Sequence, residues 1–204
     1  DERSAAYMAT GLAAESGEPV VITCTGATAS RNYLSALTEA FYRKLPIIAV
    51  TSTQMVGKIG HLHAQVIDRS SMQNDVVKLS VNLPLIKDDF DKWDCEIKVN
   101  KALLESTRNG GGPVHINLPT TYSKNFDVKE LPECRVVRRI TAFDSYPQLP
   151  KGRIGIFIGS HKPISERLSN AIDKFCEANN GVVFCDHTSS YKGRYRVLYT
   201  LVAA

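Results

Sequence analysis

Asp1-Glu2-Arg3-Ser4-Ala5-Ala6-Tyr7-Met8-Ala9-Thr10-Gly11-Leu12-Ala13, followed closely by Pro19-Val20-Val21-Ile22-Thr23-Cys24-Thr25-Gly26-Ala27-Thr28, decides the fold class. The first half reads as a helix of small residues. Ala5, Ala6, Ala9, Ala13 and Ala14 let it approach another backbone closely, and Gly17 closes it. Glu2 sits in its first turn, where exposed N–H groups and the helix dipole favour a carboxylate. Val20–Cys24 is a continuous apolar run, as expected of a strand buried on both faces of a parallel sheet. Thr25–Thr28 then forms a loop of small residues at the carboxyl end of that strand. Ligands of open α/β sheets collect at such ends.

Working outward, residues from Ala29 to Arg43 carry Tyr33, Leu34, Leu37, Ala40 and Phe41 on one helical stripe. Pro46–Thr51 is the next buried strand. Strand, helix and strand joined by short links predict a right-handed, doubly wound sheet. Thr53–His63 reads as a glycine-containing loop, Ala64–Met72 as a short helix and Val76–Val81 as a strand. A long helix over residues 89–108 is broken by Asn109-Gly110-Gly111-Gly112-Pro113, and Val114–Pro119 is a further strand. Residues 121–150 hold three prolines without periodicity and read as a linker. From residue 151 a second Rossmann-like unit begins: a strand over Arg153–Gly159, a helix over 164–179 and a strand over Val182–Cys185. It stops too early to close a sheet of its own. The expected architecture is a three-layer α/β/α domain over 1–120 with a mainly parallel sheet, then a partial second unit over 151–204.

The composition is ordinary for a globular protein, with 43% hydrophobic and 23% charged residues. A net charge of +4 with scattered basic residues does not point to nucleic acid. No apolar run approaches the length of a membrane span, and no signal peptide is recognisable. The five cysteines are widely spaced, without a Cys-x-x-Cys pair. They predict reduced thiols, a cytoplasmic setting and no zinc site.

The opening stretch resembles the pyrimidine-binding domain of thiamine diphosphate (ThDP) enzymes of the acetolactate synthase type. Within them it is most similar to the SEPHCHC synthases of menaquinone synthesis. That family carries a "[HDN]-E-x-x-A-A-x-x-A-x-G" helix, matched here by Asp1–Gly11. Gly112-Pro113-Val114-His115-Ile116-Asn117-Leu118-Pro119 resembles its closing "G-P-V-x-[IL]-[ND]-[IL]-P" strand. The resemblance implies decarboxylation of a small-molecule 2-oxo acid, with transfer of the acyl carbanion equivalent to an acceptor or a proton. It implies ThDP and Mg²⁺ as cofactors, anchored mainly by a diphosphate-binding domain whose Gly-Asp-Gly motif does not occur here. A homodimer or homotetramer follows from the same resemblance. The chain is accordingly expected to be a fragment without turnover of its own.

The site residues carried over are these. Glu2 would bond the pyrimidine ring nitrogen, so that the cofactor's own 4'-amino group can act as a base. Thr25, Gly26, Ala27 and Thr28 would line the pyrimidine pocket, with Ala27 where the family more often has glycine. Asn32 keeps an asparagine found at that spacing. His61-Leu62-His63-Ala64-Gln65-Val66-Ile67-Asp68 resembles "N-Q-A-I-D-Q", which makes Gln65 the residue facing the substrate, able to orient an oxyanion without competing for its proton. Arg31 and Arg69 are basic candidates for contact with an acidic substrate. No metal is assigned to the His61/His63 pair, and Asp186-His187 with Ser189 and Ser190 cannot form a hydrolytic relay from adjacent positions. Two alternatives stand beside this reading: a Rossmann-like nucleotide-binding domain, and a non-catalytic subunit of ThDP-enzyme fold.

Overall fold

The computed structural model describes residues 1–121, 127–149 and 151–202. It divides into two compact units, Asp1–Thr141 and Ala142–Ala204. In the first unit α1 (Glu2–Ser16) starts from Asp1, whose Oδ1 accepts a 2.9 Å bond from the Ser4 N–H. It ends at Gly17, held at φ 71°, a left-handed conformation that glycine adopts without penalty. β1 (Val20–Cys24), α2 (Leu34–Tyr42), β2 (Ile47–Thr53), β3 (Leu79–Asn82), α3 (Asp89–Thr107) and β4 (Val114–Pro119) follow. The four strands form one sheet in the order β1-β2-β4-β3, and every pair is parallel.

Alternation along β2 builds the three layers. Ile47 and Ala49 face α1 and α2, where Ala6, Ala9 and Ala13 bring α1 close to Tyr33, Ala36, Leu37 and Ala40. Ile48 and Val50 face the other way, onto Ala102, Cys95 and Val99 of α3, with Val81, Val114 and Ile116. Apolar side chains on both faces are what a doubly wound sheet requires.

Several local expectations are corrected. β1 is an edge strand with Val21 61% exposed, so it is not buried on both faces. The helix expected from Ala29 to Arg43 is divided into a 3₁₀ segment, Ala27–Tyr33, and α2. Ala64–Met72 is not helical, because Leu62 and Gln65 sit at φ 56° and 61° and its carbonyls bond elsewhere. The strand placed at Val76–Val81 begins only at Leu79; Val76 and Val77 lie in a turn and bury into the α1/α2 core. In the glycine run, a Cβ at Gly111 would lie 2.8 Å from the Lys44 carbonyl oxygen, and φ is 91° there. That position excludes other residues on both counts.

Residues 122–126 and 150 of the expected linker lie outside the described residues. Of the rest, Arg135 and Val137 run along α3. Asn100 bonds both the Arg135 carbonyl and the Val137 N–H at 2.8 Å, and Glu96 accepts from the Arg135 N–H at 3.2 Å. The second unit has β5 (Ile154–Ile158), α4 (Glu166–Ala178), β6 (Gly181–Cys185), β7 (Arg196–Leu198) and the short α5 (Tyr199–Val202). β7 pairs parallel with β6, a third strand that the sequence reading did not assign. Its core is Cys176, Val183, Cys185 and Tyr191, with the Tyr191 hydroxyl donating to Asp173. No described helix is long and apolar enough to cross a membrane.

Ala6 is fully buried in the contact of α1 with the sheet. Ala6→Leu should therefore destabilise the first unit by about 1–3 kcal/mol through overpacking. Urea unfolding followed by the fluorescence of Trp93, the single tryptophan, measures this; an unchanged midpoint would show that α1 does not pack as described.

Candidate functional site

The carboxyl ends of β1, β2 and β4 meet three loop segments. Gly26 opens the turn after β1 with extended backbone, and Ala27 follows at φ 59°. The Ala27 N–H donates to the Gln65 carbonyl at 3.1 Å. A Cβ at Gly26 would meet that same carbonyl oxygen at 3.2 Å and the Gln65 Cβ at 3.6 Å. Two stretches singled out separately in the sequence, 25–28 and Gln65, are thus in direct contact. A side chain at position 26 would press on this contact and displace it by a few tenths of an ångström.

Four residues beyond Gln65, Arg69 turns inward and is only 1% exposed. Its Nη1 reaches the carbonyl oxygens of Thr25 at 3.5 Å and Ala27 at 3.4 Å. Arg31 reinforces the same docking, donating to the Asp68 carbonyl at 2.8 Å. Together these contacts close a cleft of about 170 Å³ lined by Gly26, Ser52, Thr53, Gln54, Gln65 and Arg69, with Thr120 and Thr121. Arg69 and Thr53 also wall a second, more apolar cleft that includes Val56, Ile59, Leu83 and Pro119. Burial lowers the guanidinium's affinity for its proton, and Arg31 works in the same direction. An arginine nevertheless stays charged.

Glu2 is half-buried at the start of α1. It lies within electrostatic reach of Cys24, the last residue of β1, and of Tyr33. The Tyr33 hydroxyl donates to the Thr23 carbonyl at 2.6 Å. Burial pushes the Tyr33 phenol up, and the neighbouring Cys24 and Glu2 push it further. Burial likewise raises the Cys24 thiol, opposed by its hydrogen bond with Tyr33 and by the Arg69 charge. Tyr33 and Cys24 are therefore neutral at physiological pH, which leaves Glu2 as the acidic group at this end of β1.

Beneath the clefts runs a buried polar chain that sequence reasoning missed. His115 Nε2 pairs with Thr51 Oγ1 at 2.8 Å and Nδ1 with Ser80 Oγ at 2.6 Å. Thr51 also donates to Asn117 Oδ1 at 3.1 Å, and Asn117 Nδ2 donates to Asn82 Oδ1 at 2.8 Å. Burial, aided by the Arg69 and Arg31 charges, lowers the His115 pKa to about 4, so its ring is neutral. The polar residues at alternate positions of Val114-His115-Ile116-Asn117 were the available signal. In a strand with both faces covered, such residues must be paired.

Other expected residues stand apart. Asn32 is half-buried on the 3₁₀ segment and Thr28 is exposed, neither among the residues lining the clefts. His61 and His63 are exposed. In the second unit Asp186 accepts from the Thr188 N–H at 2.7 Å and the Thr188 hydroxyl at 2.6 Å, an Asx turn. Those donors hold its carboxyl below the usual range.

Residues 1–72 match the family model described as thiamine pyrophosphate enzyme, N-terminal TPP binding domain. The chain is 40% identical over 147 residues to a 2-succinyl-5-enolpyruvyl-6-hydroxy-3-cyclohexene-1-carboxylate synthase of Bacteroides thetaiotaomicron, covering 72% of the chain and 26% of that protein. It is 30% identical over 214 residues to the synthase of the same name from Porphyromonas gingivalis, covering 94% and 35%. The chain thus spans about a quarter to a third of these relatives' length. Among solved structures it is similar to benzoylformate decarboxylase from Polynucleobacter necessarius, with TM-score 0.52 and 20% identity, over 91% of this chain and 35% of that one. At that identity the likeness concerns the fold.

The neutral His115 makes stability depend on pH. An unfolded histidine titrates near 6.5 and the folded one at about 4. Between those values only the unfolded chain gains the proton. The contribution is complete above pH 6.5 and is lost as pH falls towards 4, on the order of 3 kcal/mol. Urea unfolding at pH 7.5 and 4.5 should show this loss in the wild type and a smaller one in His115→Gln; equal losses would contradict it.

Proposed function

We propose that this chain belongs to the thiamine-diphosphate-dependent enzymes through its first unit and supplies the pyrimidine-binding half of an enzyme acting on a 2-oxo acid. The observation that carries the proposal is the position of Glu2. It is half-buried beside Cys24 and Tyr33 at the carboxyl end of β1, with the Gly26–Gln65 contact next along the same loop.

The residues present suit the aminopyrimidine ring. The turn over Thr25–Thr28 is built of small residues, and Gly26, without a side chain, leaves its backbone open to a flat ring. The neighbouring Cys24 and Tyr33 do not compete for a proton. Glu2 would hold the ring nitrogen with its carboxyl group, a bond that makes the opposite amino group basic. ThDP supplies, when bound, the electron sink that decarboxylation of a 2-oxo acid needs. Gln65 would present its amide to the substrate's developing oxyanion, where preorganised dipoles act most strongly. The turn that carries Gln65 keeps that amide at the cleft, and neutral His115 with its partners gives the cleft a floor without a competing charge.

The reading extends to the whole protein. It would transfer the acyl carbanion equivalent to an acceptor or a proton, as the resemblance of the opening stretch implies, and the relatives it matches are synthases by name. The diphosphate and Mg²⁺ would be held by residues outside this chain, in a homodimer or homotetramer in the cytoplasm. Asn32 would contribute only through the fold of its 3₁₀ segment.

Glu2→Gln in the full-length protein tests this. The amide keeps the side chain's size but cannot share a proton with the ring. Turnover of 2-oxo acid should fall by about 10²- to 10⁴-fold, with the unfolding midpoint little changed. A rate equal to wild type would exclude a cofactor-activating role for this carboxyl group.

A further inference from the structure

Among the described residues, three buried side-chain polar atoms lack a hydrogen-bond partner: Thr53 Oγ1, Arg69 Nε and Arg69 Nη2. All three belong to residues that wall both clefts. Leaving one buried donor unmet is costly, and leaving part of a buried cation unmet is more so. Their concentration in one place points to a ligand.

The two free arginine nitrogens have a specific geometry. Nε and Nη2 form one edge of the planar guanidinium, with two N–H groups pointing the same way. Nη1 is the nitrogen engaged by the Thr25 and Ala27 carbonyls. One end of the group is thus anchored and the complete fork is left over. That fork matches the two oxygens of a carboxylate bidentately. No carboxylate among the described residues occupies it. Asp68 is the adjacent acid, and its Oδ1 is taken by the N–H and hydroxyl of Ser70 at 2.9 and 2.6 Å. Arg31 adds a second positive charge close by, and Thr53 offers a hydroxyl for a further oxygen lone pair.

We infer that Arg69, with Thr53, forms an oxyanion site that binds the carboxylate of the small-molecule acid on which the enzyme acts. Assigning the site to a 2-oxo acid rests on the proposed function; the fork itself does not. The guanidinium is held from behind by backbone, so it selects a planar, singly charged carboxylate approaching from the cleft. Arg69 is a binding residue and takes no part in proton transfer.

The test uses full-length protein without ThDP, by thermal shift. Pyruvate should raise the melting temperature saturably, while pyruvamide, which has the same shape without the charge, should not. Arg69→Gln should weaken the pyruvate effect by about 10- to 100-fold in apparent Kd, and Arg69→Lys, which keeps the charge without the fork, should fall between. Glu2→Gln should retain full protection by pyruvate even where turnover is lost, so failure of the cofactor reading and failure of this one are separate results. The inference is overturned if pyruvate protects Arg69→Gln as well as wild type, or protects neither. Arg69-dependent protection by inorganic phosphate equal to that by pyruvate would overturn the carboxylate assignment. If a side-chain carboxylate of the remaining polypeptide or of another subunit already fills the fork, both Arg69 variants melt lower without ligand and pyruvate protects none of the proteins; that also overturns it.

Discussion

The carbonyl oxygens of Thr25 and Ala27 face one guanidinium, and the upper surface of the first unit depends on that meeting. Between β2 and β3 the chain runs from residue 54 to 78 without an α-helix. Such a segment has no internal ladder of hydrogen bonds to define its path. Its path is defined by ties to the turn after β1: Arg69 to Thr25 and Ala27, the Ala27 N–H to the Gln65 carbonyl, and Arg31 to the Asp68 carbonyl. The acceptors are all backbone carbonyls, and apart from the Ala27 N–H the donors are the two arginine side chains, so the path depends on those arginines. The ties also explain why Gln65 accepts a left-handed backbone. Local strain of that kind persists only where surrounding contacts over-determine it.

The sheet itself is asymmetric. On the α3 face Ile48, Val81, Val114 and Ile116 form one apolar core. On the α1/α2 face the apolar core gives way, towards the carboxyl ends, to Thr51, His115 and Asn117. These residues satisfy one another through a continuous set of hydrogen bonds. In a low-dielectric interior such a set is rigid when complete. Immediately above it, Thr53 and Arg69 are incomplete. A rigid, neutral floor under an unsatisfied cation is an arrangement suited to holding an anion in one orientation.

Glu2 illustrates how position turns a common residue into a candidate for chemistry. An acid in the first turn of a helix is ordinarily explained by the dipole. Here α1 starts level with the carboxyl end of β1, because Ala6, Ala9 and Ala13 allow it to lie close against that strand and α2. The small-residue stripe and the placement of the carboxyl group are therefore one feature. Enlarging the alanines would move the acid as well as disturb the packing.

Much of this was legible in the sequence. The apolar runs of β1, β2 and β4, the length of α3, the Gly17 stop and the Asn109–Pro113 break are local signals, set by side-chain periodicity and by backbone freedom at glycine. Glu2, the 25–28 turn and Gln65 were visible as motifs. What the sequence could not decide was anything carried by partners distant along the chain. Val21 reads as a core residue until β1 proves to be an edge. Ala64–Met72 has helical composition, yet its Gln65 and Asp68 carbonyls accept from the Ala27 N–H and from Arg31, far earlier in the chain. Arg69 reads as a candidate contact for an acidic substrate, yet nothing local shows that two carbonyls will draw it inside. Sequence alone determined the elements and their order; tertiary structure decided which polar groups are buried and which of those are satisfied, since burial and hydrogen bonding are properties of neighbours brought together by folding.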